Sequence, residues 1–424
     1  MKEALALAIF AATLLAVLTR PRGLPEGAAA AAGAAAMLVA GIAKVGDMGS
    51  VLHDNLTVFD FFLGMMVLTT LAEEAGVFER LAIAAARLAG GSSLRLLLSI
   101  LILGTLISTF LTNDATALVL TPVVYALVVR LRLDALPYVF ACTFIADTAS
   151  MTLPISNPIN IILAQRFPDL TLGAFLHYLL LPSMAAIAID VAAFAVIFRR
   201  SLTGRFAMGE ASVALEGGER RAFHLAVLIL LLVGIAFVAA SQLRPAPVGA
   251  VALAGSGLLL LVTHLQGRLR WRELGRGISW GIFPFIAGMF LMVRGIEHQG
   301  ATHQLGLLLD RLAGTGALRP VAVATLFAAA GSNLINNVPM VAVMQATIPT
   351  VHAVSQPALV YGTLIGCDLG PNLTVVGSLS TMIWLLLLRR RGLEISSLHY
   401  ARLGFVVTPM MLLVCALLLG ALLG

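Results

Sequence analysis

The stretch FLTNDATALVL, from Phe110 to Leu120, places Thr112, Asn113 and Asp114 in a row between two apolar segments. Lipid offers no hydrogen bonds to an amide, a carboxyl or the backbone groups that a broken helix exposes. A break at this position must therefore line a cavity or lie in a protein interior. The stretch predicts an interrupted helix inside a membrane protein.

The composition of the whole chain supports a membrane location. Of its 424 residues 60% are hydrophobic and 11% are charged, and its mean hydropathy is +1.00, whereas soluble domains carry about 25% charged residues. Long apolar runs recur from end to end, which predicts an all-α polytopic membrane protein and not a β-barrel of short alternating segments. The basic residues behind the net charge of +6 stand between these runs, so they indicate orientation and not nucleic-acid binding.

Charge clusters and Pro or Gly breaks divide the apolar sequence into ten spans and two interrupted stretches. The predicted spans lie near 3–19, 28–45, 57–74, 136–165, 171–198, 222–241, 245–265, 278–296, 356–388 and 397–423. The interrupted stretches, 94–130 and 319–352, have polar residues at their centres, and we expect each to be a re-entrant hairpin that enters and leaves on one side.

The distribution of basic residues predicts the orientation of these spans. The connecting segments alternate between two faces, and 20 of the 27 Lys and Arg residues fall on one face and 7 on the other. Because cytoplasmic loops are enriched in Lys and Arg, the first face is predicted to be cytoplasmic and both termini to lie outside the cytoplasm. Ordinary pairs of spans in place of the hairpins would give the same sides, so only the polar tips favour hairpins.

The two halves of the sequence resemble each other weakly. LTNDAT (111–116) aligns with INNVPM (335–340) at an offset of 224, and IADTASMTLPISNPINI (145–161) aligns with GCDLGPNLTVVGSLSTM (366–382) at an offset of 221. Each half has five crossings, an odd number, so the halves must be inverted in the membrane. Inverted repeats with broken helices are typical of secondary transporters, whose site lies at the repeat interface.

This repeat fixes the predicted domain organisation. The Arg- and Glu-rich segment 199–221 is the predicted cytoplasmic linker. The predicted repeats are 1–198, with hairpin 94–130 and broken helix 136–165, and 222–424, with hairpin 319–352 and broken helix 356–388.

The four breaks bring amides and hydroxyls to membrane depth. Such groups both donate and accept hydrogen bonds, which suits a small neutral polyol. A lone Asn or Ser can also simply join two helices, but four breaks in matched positions favour a binding site. The predicted substrate-binding residues are Thr112, Asn113, Ser156, Asn157, Asn160, Asn336, Asn337 and Ser378.

Acidic residues inside the membrane are costly and mark function by default. Asp114, Asp147 and Asp368 lie at or beside the breaks and are the predicted proton-coupling residues. Asp60 and Asp190 stand alone in spans and are expected to support the site or to be paired structurally.

The remaining candidate residues are predicted to lie outside the binding site. Glu73 and Glu74 fall near a span end and are expected to be solvated, and Arg294 is expected to anchor the membrane interface. The three cysteines, Cys142, Cys367 and Cys415, form neither a disulfide framework nor a metal motif. We therefore expect no metal and no cofactor.

Four segments carry a resemblance to a known family. FLTNDATALVLTPVV, FIADTASMTLPISNPINI, NLINNVPMVAV and GCDLGPNLTVVGSLSTMIWL resemble the arsenite efflux permeases, the arsenical pump membrane proteins of the ion transporter superfamily. The resemblance covers essentially the whole chain. It implies a protein of the inner (plasma) membrane, surrounded by lipid, that exports arsenite or antimonite as the neutral hydroxide in exchange for protons. A soluble arsenite-stimulated ATPase on the cytoplasmic face is a partner of some members.

The hairpin tips depart from the superfamily pattern in a telling way. In the superfamily that this sequence resembles, the hairpin tips carry a Ser-Asn-Thr signature at the substrate and sodium sites. The matching positions here are Thr112-Asn113-Asp114 and Asn336-Asn337-Val338. These departures remove hydroxyls and add a titratable group. They favour a proton as the coupling ion and argue against sodium-coupled dicarboxylate uptake.

Other functions fit the sequence less well. A sodium/proton antiporter or a silicic acid exporter of the same superfamily would keep the carboxylates and differ in substrate. A membrane-embedded enzyme is disfavoured because neither HExxH nor GxSxG occurs. A passive channel has no need of two inverted broken-helix hairpins.

Overall fold

The computed structural model describes residues 2–207, 217–243, 246–314, 316–352 and 355–424. The middle of the predicted linker, 208–216, lies outside the described residues, and so does Arg244, which the charge distribution assigns to the outer face.

The described chain is helical, and the pairing of extended backbone within it is limited to one isolated bridge between Ser92 and Arg205. The helices of the first half are α1 Lys2–Thr19, α2 Glu26–Val39, α3 Val45–Asp54, α4 Leu56–Glu74, α5 Val77–Leu88, α6 Ser93–Phe110, α7 Thr121–Arg130, α8 Leu136–Thr148, α9 Pro158–Arg166, α10 Leu172–Tyr178 and α11 Leu180–Ile197. Those of the second half are α12 Gly217–Ala240, α13 Val248–Leu265, α14 Trp271–Gly277, α15 Ile282–His298, α16 Ala301–Ala313, α17 Leu318–Ile335, α18 Asn337–Thr347, α19 Gln356–Leu369, α20 Leu379–Arg390 and α21 Ser397–Leu423. A π-helical segment, Ala115–Leu120, precedes α7.

The length and apolarity of these helices show a polytopic membrane protein. Within the described ranges nine helices are long and apolar enough to cross a bilayer. They are Lys2–Thr19, Leu56–Glu74, Ser93–Phe110, Leu180–Ile197, Glu219–Ala240, Val248–Leu265, Trp271–His298, Leu318–Ile335 and Ser397–Leu423. Shorter apolar helices lie beside them, so the predicted all-α membrane fold is confirmed.

Two predicted spans differ from the observed helices. The span predicted at 28–45 ends at Val39, because Gly41 takes a left-handed φ of 62°, and the next helix, α3, begins at Val45. The span predicted at 171–198 is divided into α10 and α11 at Leu179. Pro182 lies in the first turn of α11, where its missing N–H costs no intrahelical hydrogen bond.

Two helix pairs are each held by close backbone contact, and α3, which contacts both α4 and α15, joins them into one bundle. In the α4–α13 pair a Cβ on Gly64 would lie 2.5 Å from the carbonyl carbon of Ala252, and in the α2–α15 pair a Cβ on Gly288 would lie 2.7 Å from that of Ala30. Gly64 and Gly288 are 224 positions apart, and Ala30 and Ala252 are 222 apart. The same contact is therefore made twice, near the offset that the sequence repeat predicts.

A second bundle contains the interrupted helices. In it α6 packs against α8, α17 packs against α19, and the last spans α11 and α21 pack against each other. The two bundles meet where α4 contacts α9 and the π-helical segment, and where α15 contacts α18. The segments that follow the two tips, together with α9, therefore lie at the side of the second bundle that faces the first.

Both hairpin stretches are interrupted at the predicted places. α6 ends at Phe110, and α17 ends at Ile335, before Asn336, which takes a φ of 73° that is strained for a residue other than glycine. α18 has 11 residues, a rise of about 16 Å against a hydrocarbon core of about 30 Å. This length suits an arm that turns back inside the membrane, while the re-entrant path itself stays a prediction.

Candidate functional site

Each hairpin tip is tied to the broken helix of its own half by the same backbone hydrogen bond. The Asn113 amide nitrogen donates to the Ser156 carbonyl oxygen at 3.0 Å, and the Asn337 amide nitrogen donates to the Gly377 carbonyl oxygen at 3.0 Å. These pairs are related by the offsets of 224 and 221 read from the sequence. The tip and the broken helix of each half therefore form one unit.

The break between α8 and α9 contacts an acid of the other half. Asn157 caps α9, since its Oδ1 accepts from the Ile159 amide at 3.2 Å. Its Nδ2 donates to Asp368 Oδ1 at 2.7 Å, and the Ser150 hydroxyl donates to the same oxygen at 2.7 Å. The first half thus supplies both hydrogen bonds to Asp368.

Asp147, the counterpart of Asp368 in the predicted repeat, is held by the first hairpin tip. Asn113 Nδ2 donates to Asp147 Oδ1 at 3.2 Å. Asp147 is 1% exposed and Asp368 is 0% exposed, and Oδ2 of each has no hydrogen-bond partner among the described residues. Within the described ranges neither acid forms an ion pair with a basic side chain. A charge in this setting is energetically costly, so the two carboxyls are suited to bind and release protons.

Asp114 joins the two halves and faces a cavity. The Ser380 hydroxyl, from the first turn of α20, donates to Asp114 Oδ1. Thr112 Oγ1 accepts from the Ala115 amide at 3.2 Å and so satisfies the start of the helix that follows the break. Both Thr112 and Asp114 line a cavity of about 280 Å³ between α4, the loop before α15, the first tip and α20.

The other lining residues give this cavity a mixed character. α4 contributes aromatic rings and thioethers from its middle turns and hydroxyls and a carboxylate from its last turns. These residues of α4 are Phe61, Phe62, Met65, Met66, Thr69, Thr70 and Glu73. Glu26 of α2 and Ser279 of the loop before α15 complete the polar part of the lining.

The second tip holds its helices in shape through its amides. Asn336 Oδ1 accepts from the Val338 amide at 3.3 Å, and its Nδ2 donates to the Val376 carbonyl at 3.2 Å. Asn333 donates to the Gly370 carbonyl at 2.7 Å and accepts from the Thr374 hydroxyl at 2.7 Å. The Asn337 side chain makes no hydrogen bond to any described residue, and Ser378 precedes α20 without a side-chain cap.

The predicted site residues are thus distributed over four places, one of which is the second tip described above. The cavity holds Thr112 and Asp114, and the buried network behind it holds Asn113, Asn157, Asp147 and Asp368. The other polar groups of the first break maintain its path: Asn160 donates to the Ser150 and Leu153 carbonyls at 2.9 and 3.1 Å, and Ser156 to the Thr109 carbonyl at 2.8 Å. Asn113 and Asn337 do not hydrogen-bond to each other, so their joint contact with substrate stays a prediction.

The structure also shows where the residues predicted to be solvated or to anchor the membrane interface lie. Glu73 and Glu74 are exposed as expected, although Glu73 also lines the cavity. Arg294 pairs with Asp54 at 3.5 Å and with Glu297 at 3.2 Å.

The two lone acids and the cysteines lie away from this cavity. Asp60 is half-buried beside Gly249, and Asp190 is buried with neither carboxyl oxygen hydrogen-bonded to a residue that the structure describes. All three cysteines are buried and free, and none belongs to the described lining of the cavity.

Sequence reasoning missed the part that α4 plays in the site. Its Thr69-Thr70 pair followed by Glu73 is a polar patch at the end of an apolar helix. That patch was a usable signal, but its position opposite the first tip depends on how the two bundles pack.

Comparisons with known proteins agree with this architecture. A family model described as arsenical pump membrane protein matches residues 5–423. The arsenical pump membrane protein of Yersinia enterocolitica is 34% identical over 415 residues, which is 95% of this chain and 95% of that relative. The corresponding protein of Escherichia coli (strain K12) is 32% identical over 410 residues, with 95% of each chain covered. Among solved structures, the Alcanivorax borkumensis YdaH transporter has a TM-score of 0.60 at 16% identity over 88% of this chain and 87% of that chain, a likeness of fold.

Proposed function

The chain belongs to the arsenical pump membrane protein family, and we propose that it is a secondary active transporter that exports arsenite and antimonite as neutral hydroxides in exchange for protons. The observation that carries this proposal is the carboxyl of Asp114, which lies at a hairpin tip, is bonded across the halves by Ser380 and faces a cavity.

Asp114 can couple substrate binding to proton binding because both use the same carboxyl. A carboxylate accepts hydrogen bonds from hydroxyls, as it does from Ser380. A protonated carboxyl loses much of that accepting capacity. Substrate hydroxyls and a proton therefore compete for the same group, and such mutual exclusion is the requirement for exchange. The hydroxyls of Thr112, Thr69 and Thr70 supply further partners for a small polyol in the same cavity.

Proton exchange also meets the energetic need. Arsenous acid is neutral near pH 7, so the membrane potential alone cannot drive its export. One proton that moves inward contributes about 2.3 kcal/mol per 100 mV. At about 1.36 kcal/mol per decade, this supports a roughly fifty-fold substrate gradient before any pH difference contributes.

The proposed working parts follow the two halves. We assign 1–198 and 222–424 to inverted repeats joined by the cytoplasmic segment 199–221, with both termini outside. The repeated glycine contacts and the repeated tip bond support this assignment. Single cysteines placed in 266–276 should resist an impermeant thiol reagent in intact cells, and strong labelling from outside would contradict the orientation.

The proposed site residues fall into two sets. The proton-coupling set is Asp114, Asp147 and Asp368, and the substrate set is Thr112, Asn113, Ser156, Asn157, Asn160, Asn336, Asn337 and Ser378. Thr112 and Asp114 make the first contact with substrate, because they line the cavity.

The test is arsenite uptake into everted membrane vesicles under an imposed pH gradient, with sodium present and absent. We expect uptake that follows the pH gradient and is indifferent to sodium. Uptake that requires a sodium gradient would contradict proton exchange, and the absence of arsenite uptake under every gradient would contradict the substrate.

A further inference from the structure

A polar cavity of about 490 Å³ lies between α3, α9, α15 and α18. It is called the Arg294 cavity here, to separate it from the Asp114 cavity described above. None of the predicted site residues belongs to its described lining. α3 and α15 are part of the first bundle and α9 and α18 part of the second, so this cavity, like the Asp114 cavity, lies where the two bundles meet.

The lining of the Arg294 cavity repeats that of the Asp114 cavity. α15 lines the first of these with four residues, and each lies 224 positions after a residue with which α4 lines the second. The pairs are Met66 and Phe290, Thr69 and Val293, Thr70 and Arg294, and Glu73 and Glu297. Ala342, after the second tip, corresponds in the same way to Leu118, after the first. The two cavities are therefore counterparts in the predicted repeat.

The two cavities lie at opposite ends of α4. Asn55, directly before α4, lines the Arg294 cavity, whereas Glu73, in the last turn of α4, lines the Asp114 cavity. α4 rises about 27 Å over this stretch, against about 30 Å for the hydrocarbon core of a bilayer. Since the end of α4 is predicted to be cytoplasmic, the Arg294 cavity is expected to face the outer side.

α9 runs from one cavity to the other. Its first residue, Pro158, lines the Asp114 cavity, and its last two, Gln165 and Arg166, line the Arg294 cavity. The rise between these ends is about 10 Å. α9 packs against both α4 and α18, and it follows the first break directly. A route along α9 therefore leads from the proposed proton-coupling site to the Arg294 cavity.

The polar groups of the Arg294 cavity suit a neutral ligand that carries several hydroxyls. Its described lining has two basic and two acidic residues, so the charged side chains carry no net charge. They are Arg166, Arg294, Asp54 and Glu297. The two ion pairs of Arg294 leave further guanidinium N–H groups to donate. Gln165 Oε1 is buried and has no hydrogen-bond partner among the described residues, and such an acceptor needs an explanation.

We propose that the Arg294 cavity is a second binding site for the transported hydroxide, which occupies it on the way out of the cell. There Gln165 accepts a hydrogen bond from a substrate hydroxyl, and Arg294 donates one to a substrate oxygen. The arm that lines this cavity has Val338 where the first has Asp114. Without a tip carboxyl the hydroxide is held more weakly than at Asp114, as release requires. The inference rests on the export of neutral hydroxides proposed above.

The test measures arsenite entry through the full-length protein from each face of the membrane. Everted vesicles present the cytoplasmic face to added arsenite, and right-side-out vesicles present the outer face; a protonophore removes any pH difference. The variants are Gln165→Leu and Arg294→Gln. Their controls are Gln304→Leu and Arg311→Gln, exposed residues of α16 outside the described linings of both cavities.

We expect Gln165→Leu and Arg294→Gln to raise the half-saturating arsenite concentration at the outer face by about tenfold, the scale of one lost hydrogen bond. At the cytoplasmic face the same variants should leave it unchanged. Thr69→Val, in the Asp114 cavity, should have the reverse pattern. The two controls should change neither value.

Two results would overturn the second site. One is an unchanged outer-face value in both variants, and the other is an equal rise at both faces, as expected of a general defect in helix packing. If Arg294→Gln does not reach the membrane, Gln165→Leu decides. Absence of arsenite entry from either face in the wild type would instead reject the proposed function, and the second site with it.

Discussion

The two hairpin tips make the same backbone hydrogen bond and differ in the chemistry of their side chains. Both donate an amide hydrogen bond at 3.0 Å to the broken helix of their own half. The first tip continues with Asp114, a carboxyl that faces the cavity, whereas the second continues with Val338, which cannot titrate. The symmetric part of the molecule is therefore its framework, and of the two tips only the first carries a titratable side chain next to its asparagine.

The largest expected effect separates the tips by charge. Asp114→Asn keeps the shape of the side chain and removes its titration. We expect the roughly fifty-fold gradient that one proton supports per 100 mV to collapse to equilibration. The matched change at the second tip, Val338→Asn, should leave pH-driven transport coupled. Arsenite accumulation in everted vesicles measures both, and equal coupling in wild type and Asp114→Asn would move the proton to Asp147 or Asp368.

The next effect tests the symmetry of the framework. Alanine at Gly64 or at Gly288 would press a Cβ against backbone atoms, and overpacking of this kind costs about 1–3 kcal/mol. Gly257, on α13 with open space around it, is the control, where alanine should be neutral or stabilising. Thermal unfolding in detergent compares the three. Similar losses for Gly64→Ala and Gly288→Ala are expected, and a loss in only one half would break the comparison.

The third effect concerns the asparagines at the tips. Asn113 donates to Asp147, so removing its amide leaves a buried carboxyl without its one hydrogen bond from the described residues and costs about 1–3 kcal/mol, or roughly one to two decades in affinity. Asn337 has no such bond among the described residues, so Asn337→Ala should have the smaller effect. Arsenite affinity at matched expression distinguishes them. Wild-type affinity in both variants would assign the asparagines to helix packing alone.

The smallest effect is expected at the cysteines. Arsenic(III) is thiophilic, yet Cys142, Cys367 and Cys415 are all buried and none is in the described lining of the cavity. Cys415 Sγ donates to the Pro182 carbonyl at 3.2 Å and packs α21 against α11. Replacing all three should leave most arsenite resistance intact. Loss of transport in a folded cysteine-free protein would contradict this.

The sequence was sufficient for the spans and breaks because these depend on local chemistry. Apolar length defines α21, which matches its predicted bounds of 397–423, and Pro, Gly and Asn define the breaks. Amphipathic helices such as α5 and α16 were missed because their charged residues, Glu79 and Arg311 among them, interrupt the apolar pattern.

The contacts of the site depend on packing between segments that are distant in the sequence, and local sequence patterns do not reveal that packing. The bond from Ser380 to Asp114 joins residues 266 positions apart. The bond from Asn157 to Asp368 spans 211 positions. Sequence reasoning could name the acids but not the residues that hydrogen-bond to Asp114 and Asp368.

Proton movement driven by arsenite alone tests the central claim most directly. The full-length protein in liposomes that enclose a pH-sensitive dye would be given an arsenite gradient with no pH gradient and no sodium. Our account predicts proton flux opposite to arsenite flux in the wild type and none in Asp114→Asn. Arsenite flux through the wild-type protein without any change in internal pH would contradict it.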